Sequence, residues 1–408
     1  MSIEASRGTD ITQFKRVYRS RNEGDFPEEL AITLRKEHDL KYGENPNQQA
    51  ALYALDTIAG VQAKRVAELT NLRSVRKDGM GKGGLSLTNY MDIARGMDTL
   101  KYFDVPAVAI MKHNVISGFA RQNKPEQPLA EIYRLARDSD RRSNFGGTVL
   151  INRPLDADTT QAFLELYPRH IIDVVVAPEY EQGQVEALQD GSKNIRLAAY
   201  SRLDALPKWK GDDTQGLFSM KELPSGRLAL QDLYLTSIRS ADDLILDPMR
   251  IDKKGNKHIM ARDPSEQELK DMLAAWYINI AGARSNGVVM VRDGVLVANG
   301  SGQVERVGAA EQAIVKGIQK AFDREELDYD PLMGIAGYER LKDNPFNGAA
   351  CASDAFFPFP DAVQRLGRIG IKAVLQPYGS VRDGAVIDAA NEFGIAMPAT
   401  LERCFGHF

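Results

Sequence analysis

Lys112 and His113 stand side by side at the end of the apolar run Val105–Met111. A strand end is where α/β sheets commonly display polar groups into a crevice. An adjacent lysine and histidine there supply a cation and a side chain whose ordinary titration lies near neutrality, which suits proton transfer. Spacing alone leaves a solvated surface pair as the alternative. Other tempting patterns fail. The stretch Asp78 to Gly84 (DGMGKGG) lacks the spacing of a phosphate loop, and Glu305 stands where Gly300-Ser301-Gly302 would need a third glycine for a dinucleotide fingerprint. There is no C-x-x-C, no H-E-x-x-H and no H-x-E paired with P-C-x-x-C, so zinc protease and zinc deaminase chemistry has no support.

The elements that must position such a pair follow from periodicity. Short apolar runs at Val105–Met111, Gly146–Asn152 and Ile171–Pro178 alternate with amphipathic stretches such as NYMDIARGMDTLKYF and PLAEIYRLARD. That alternation predicts α/β layers. Asp173 falls in a run otherwise made of Ile and Val, where a carboxylate is costly unless paired, and this favours a ligand contact. GVVMVRDGVLVANGSG predicts a hairpin turning at Asp293-Gly294, with a long helix from about Val307 to Phe322 behind it. The last part predicts strand, glycine-containing loop, helix and strand. We expect an arm over residues 1–26, a first α/β unit over 27–225 and a second over 226–408.

Composition narrows the class. A chain of 408 residues with 43% hydrophobic and 26% charged residues is long enough for two sizeable cores. The formal net charge of −4 argues against a general nucleic-acid or membrane-surface partner but leaves room for a small anionic ligand. Two isolated cysteines, Cys351 and Cys404, and a charged N-terminus without an apolar core point to a cytoplasmic protein.

Several blocks together carry a family resemblance. They are LKYGENPNQ (40–48), GKGGLSLTNYMDIARG (81–96), VAIMKHNVISGFA (108–120) and RSNFGG (142–147). Further along come Ser285-Asn286 with the hairpin and GSGQVERV (300–307), then ASDAFFPF (352–359) and QPYGSVRD (376–383). In this order they resemble AICAR transformylase, the folate-dependent half of the bifunctional transformylase/IMP cyclohydrolase. The resemblance runs from about residue 39 to Arg403, and we expect the chain to stand without the cyclohydrolase domain. It implies two tandem cytidine-deaminase-like α/β/α units and a homodimer with sites at the subunit interface. It also implies formyl transfer from 10-formyltetrahydrofolate, as co-substrate, to the 5-amino group of AICAR, with no metal required and a separate IMP cyclohydrolase to close the product ring.

The same resemblance assigns roles. His113 is the base and Lys112 stabilises the tetrahedral intermediate or protonates the leaving folate nitrogen. Lys41, Tyr42, Gly146, Asp173, Asn286 and Arg306 contact the nucleotide, with the cations near its phosphate. Phe356, Asp361, Ser380, Val381 and Arg403 surround the folate. The chain departs from the family pattern at Lys41 (usually Arg), at Asn47 (usually His), at Val304-Glu305, and in the turn after His113, which lacks a proline. Two other readings stand beside this one: a diverged formyltransferase with another donor or acceptor, and a non-catalytic purine-ribonucleotide sensor. Retention of both Lys112 and His113 favours catalysis, since binding alone needs no base.

Overall fold

Runs of β-branched and small apolar residues, each followed by a stretch with one apolar face, build a mixed α/β protein. The computed structural model describes residues 8–12, 26–40, 42–72, 84–166, 170–192, 194–330 and 338–407. Lys41 and nearly all of the glycine-rich stretch 78–84 lie outside the described residues. The first part of the chain forms β1 (Thr9–Asp10), β2 (Ile32–Leu40), β3 (Ala50–Ile58), β4 (Val61–Gln62), β5 (Leu69–Leu72), α1 (Leu87–Leu100), β6 (Ala107–Lys112), β7 (Val115–Arg121) and α2 (Leu129–Asp138). Next come β8 (Thr148–Ile151), α3 (Ala157–Leu164), β9 (Val174–Ala177), α4 (Gln184–Gly191), β10 (Arg196–Tyr200), β11 (Ser219–Leu223), β12 (Arg227–Gln231), β13 (Pro248–Ile251) and β14 (Lys257–Ile259). The remainder is α5 (Glu266–Ala281), β15 (Val288–Arg292), β16 (Val295–Gly300), α6 (Arg306–Arg324), β17 (Ala350–Ser353), α7 (Asp361–Arg368), β18 (Ala373–Leu375) and α8 (Asp383–Glu392).

One ten-stranded sheet runs through both halves, in the order β18-β17-β15-β16-β7-β6-β8-β9-β10-β5. Helices cover both faces, so the strands read as continuous apolar runs rather than alternating ones. Along β6 the side chains still divide by face. Ala107, Ala109 and Met111 join a core with α1 and α5, while Val108 and Ile110 join a core with α2 and α3. The order helix, hairpin, helix, strand, helix, strand occurs twice: α1 to β9, and again α5 to β18. The two runs meet where β16 pairs with β7, in the register Val295↔Ala120.

Three expectations meet a different arrangement. Within the arm, Thr9 and Asp10 pair with Pro248 and Met249, and Ile11 is 4% exposed, so apolar burial ties this segment to the second half. Position 225 falls in the turn of the β11–β12 hairpin, whose two strands pair along their length. The strand expected after α8 is reduced to isolated bridges at Ala396 and Ala399, with Pro398, which has no N–H to donate, between them. Among the described residues, no helix is long and apolar enough to cross a membrane.

Candidate active site

Strand register gathers the candidate residues along one edge of the sheet. Lys112 pairs with Val115 across the β6–β7 turn, and Met111 lies opposite Thr148, which is opposite Val174. On the other half, Val288 is opposite both Gly300 and Ser353, and Ala352 is opposite Leu375. Because β7 and β16 run antiparallel, these ends all fall on the same side. That edge therefore carries Lys112, His113, Gly146 and Asp173 from the first half, and Asn286, Arg306, Phe356, Ser380 and Val381 from the second. From β6 to β17 is four strand steps, about 19 Å at the usual ~4.8 Å spacing.

The β6–β7 turn displays the pair. His113 (φ 53°) and Asn114 (φ 63°) both take the left-handed conformation of a two-residue hairpin turn, matching Asp293 (52°) and Gly294 (78°) in the second hairpin. A histidine is rarer there than Asn or Gly. His113 is exposed, and Lys112 is half-buried with its Nζ donating to the Phe145 carbonyl at 2.6 Å. The turn is pinned from behind by α1. Ser86 caps that helix in a reciprocal arrangement with Asn89, and one turn further Asp92 Oδ1 accepts from the Asn114 amide at 2.7 Å. Burial raises the Asp92 carboxyl above its usual range, against the Asn114 amide, the His113 charge and the Thr148 hydroxyl, which lower it.

Asp173 sits just before β9 rather than within it. Its carboxylate accepts from Arg196 Nη1 at 2.7 Å and Asn89 Nδ2 at 3.2 Å, so its cost is already met by a partner as well as by any ligand. Gly146 has φ 72° and open space around it, and its amide donates to the Ile171 carbonyl at 2.6 Å.

Arg306, the first residue of α6, is turned inward: its side chain is 6% exposed and pairs with Asp354, itself 1% exposed. Its remaining donors reach the Gly287 carbonyl (3.2 Å), Ser353 Oγ (3.1 Å) and Asn286 Oδ1 (2.7 Å). The guanidinium of Arg306 therefore faces the protein interior, between Asp354 and Asn286. Asn286 is completed by donation from its Nδ2 to the Gln303 carbonyl at 2.8 Å. Ser285 Oγ donates to Asp354 at 2.5 Å, and the Cys404 amide donates to the Asp354 carbonyl, which brings the C-terminal segment with Arg403 to this cluster. Phe356 is half-buried just after β17, Asp361 opens α7, Ser380 is buried with its amide on Asp383, and Val381 is 72% exposed. Tyr42 follows β2 in a separate three-stranded sheet, joined to α1 by a 3.2 Å contact between His38 Nε2 and the Tyr90 hydroxyl.

Between the two groups lies a cleft of about 660 Å³. It is lined by His113 and by five cations, Lys112, Arg142, Arg284, Lys316 and Lys320, against the carboxylate of Asp140. Among the described residues given a role from the sequence, Lys112 and His113 line it. Asn299, 4% exposed, also lines it, with a carbonyl oxygen that has no hydrogen-bond partner among the described residues. Such a surplus of positive charge attracts an anionic ligand. Among the described residues, no group of three or more His, Cys, Asp or Glu side chains is gathered for a metal ion. Sequence reasoning missed Asp92, Asp140, Lys320 and Asp354. Asn89 and Asp92, spaced three apart on the apolar side of a helix, were the one local signal available.

A family model described as "AICARFT/IMPCHase bienzyme" matches residues 9–316. The "Bifunctional purine biosynthesis protein PurH" of Persephonella marina is 34% identical over 384 residues, covering 94% of this chain and 62% of that protein. The proteins of the same name from Magnetococcus marinus and Caldicellulosiruptor saccharolyticus are 33% and 30% identical, with 94% and 95% of this chain covered and 62% of each relative. The chain thus spans 62% of the length of these relatives. With a family model covering most of its length and relatives at this identity, the chain belongs to the AICARFT/IMPCHase bienzyme family.

Proposed function

We propose that this chain is an enzyme of purine (IMP) biosynthesis that transfers a formyl group from 10-formyltetrahydrofolate to the 5-amino group of AICAR, giving FAICAR. The observation that supports this most is the Lys112–His113 pair, held out on a left-handed turn beside a cation-lined cleft. The AICAR amine is a weak nucleophile because its lone pair is delocalised into the ring and carboxamide. Its nitrogen bonds to the formyl carbon while His113 takes the amine proton. The formyl oxygen becomes an oxyanion, against which Lys112 supplies a positive charge. Collapse breaks the bond from the formyl carbon to the folate nitrogen, which takes a proton as it leaves. No metal enters this scheme, and ring closure to IMP is the separate reaction of a cyclohydrolase.

In this reading Lys41, Tyr42, Gly146, Asp173 and Asn286 contact the nucleotide, and Arg306 acts through Asn286 rather than on the phosphate. Phe356, Asp361, Ser380, Val381 and Arg403 serve the folate. The two groups lie too far apart along one edge for a single nucleotide-sized molecule to touch both. A homodimer that brings the second group of one copy over the first group of another removes the difficulty. The β2–β3 hairpin, with Leu34 and Tyr53 about half exposed, suits such a contact. The twice-repeated element order supports tandem cytidine-deaminase-like units. A steady-state assay of the purified protein with AICAR and 10-formyltetrahydrofolate, following tetrahydrofolate release, tests the reading. Turnover dependent on both substrates supports it, and AICAR binding without turnover refutes it.

A further inference from the structure

Lys320 comes from α6, in the second half of the chain, yet its ammonium is buried against the first half. Its side chain is 7% exposed, and its Nζ lies 3.1 Å from Asp140 Oδ2 and 3.5 Å from the Ser117 carbonyl on β7. Asp140 opens the loop after α2 and holds that loop from its start: its Oδ1 accepts from the Ser143 amide at 2.8 Å, and its carbonyl accepts from the Asn144 amide at 3.1 Å. Asn144, 1% exposed, is locked in turn. Its Oδ1 accepts from Ser117 Oγ at 2.6 Å, and its Nδ2 donates to the carbonyls of Ala136 (3.2 Å) and Arg137 (2.8 Å). The next residue, Phe145, offers the carbonyl that receives Lys112 Nζ. A second tie from the same helix runs from Asp323 to Arg142, at 2.5 and 2.7 Å. One connected path therefore leads from Lys320 through Asp140, Ser143 and Asn144 to the atom that holds the Lys112 ammonium.

We propose that Lys320, acting through Asp140 and the loop 140–145, is a positioning residue that sets where the Lys112 ammonium sits in the cleft. A buried ion pair adds little net stability compared with an apolar pair of similar shape, so its effect is to select one arrangement of the chain around it. Here the arrangement selected is the Phe145 carbonyl presented toward Lys112. Burial pushes the Lys320 ammonium down from its ordinary range and the Asp140 carboxylate pushes it back up. The contact itself joins the two halves of the chain, since Lys320 lies on α6 and Asp140 follows α2. The consequence for catalysis rests on Lys112 acting at the reacting group, as proposed above, whereas the positioning itself does not.

The test uses the full chain and two readouts. Trinitrobenzenesulfonate labels free lysine amines, and peptide mass spectrometry gives the rate at Lys112 separately from that at Lys372. Lys372 also donates to a backbone carbonyl, Phe393, at 2.6 Å, but has no part in the loop, so it serves as the internal control. In Lys320→Met the Phe145 carbonyl is released, and labelling of Lys112 rises roughly tenfold to a hundredfold, the factor one hydrogen bond to an ammonium represents, with Lys372 unchanged. Asp140→Asn, which keeps the shape, shows a smaller rise of the same sign and decides the matter should Lys320→Met fail to fold. In turnover, kcat falls while KM for AICAR holds, and Lys320→Arg recovers part of the loss. Labelling of Lys112 that stays at the wild-type rate in a folded Lys320→Met or Asp140→Asn protein overturns the proposal. A wild type without turnover overturns the formyl-transfer reading alone, because the labelling experiment needs no substrate.

Discussion

Replacing Asp354 by leucine isolates the best-buried charge pair near the candidate site. Arg306 and Asp354 are 6% and 1% exposed, so neither charge recovers solvation when the other is removed. In Asp354→Leu the guanidinium keeps three neutral acceptors, the Gly287 carbonyl, Ser353 Oγ and Asn286 Oδ1. Loss of the partner charge then costs about 3–5 kcal/mol. Arg306→Met leaves the carboxylate with the Ser285 hydroxyl and costs a similar ~3 kcal/mol. The double variant removes both charges and loses mainly packing, on the order of 1–2 kcal/mol. The two single costs therefore overshoot the double by about 4 kcal/mol or more, a coupling expected only of groups in direct contact. Urea unfolding, read by tryptophan fluorescence with Trp276 fully buried, measures all three. Costs that add to within ~0.5 kcal/mol refute the inward orientation of Arg306 and return it to a role on the ligand phosphate.

Three further outcomes are expected. Asp92→Ala leaves the buried Asn114 amide unpaired, costing about 1–3 kcal/mol and lowering kcat, whereas Asp92→Asn keeps an acceptor and most of the activity; equal losses in the two variants contradict the pinning of the His113 turn. A Cβ on Gly300 would lie 1.9 Å from the Ala309 carbonyl oxygen, so Gly300→Ala forces α6 off the sheet and costs about 3 kcal/mol or more; a urea midpoint close to that of the wild type refutes this close approach. The hydrogen bond to Asp388 raises the His258 titration above 6.5, so its stabilising effect is complete below that value and fades as pH rises through the folded value. His258→Gln should accordingly destabilise more at pH 6 than at pH 9, and an equal loss at both removes the His258–Asp388 contact from the account.

Local signals carried much of the architecture. The period of the apolar runs marks β6, β8, β9 and α6, and the Asp293-Gly294 dipeptide marks its turn because few residues accept positive φ at both positions. The Lys112–His113 pair was visible because it follows an apolar run directly. What local sequence withholds is pairing at long range. The β7–β16 join connects residues 120 and 295, and it alone makes two expected units one sheet and one common edge. Arg306 looks like a helix-surface residue until Asp354, 48 positions away, is placed beside it. Lys320 looks like part of a solvated helix face, since its partner Asp140 belongs to the other half. Asp173 shows the converse: its composition signal was correct about needing a partner but silent on that partner being Arg196.

The most direct test of the central claim is single-turnover transfer of a labelled formyl group from 10-formyltetrahydrofolate to AICAR by wild type and His113→Ala, with AICAR binding measured by calorimetry on both. The account predicts a transfer rate about 10²–10⁴-fold lower in the variant, the usual weight of a general base, with AICAR affinity little changed. Transfer at the wild-type rate in a folded His113→Ala protein would contradict it.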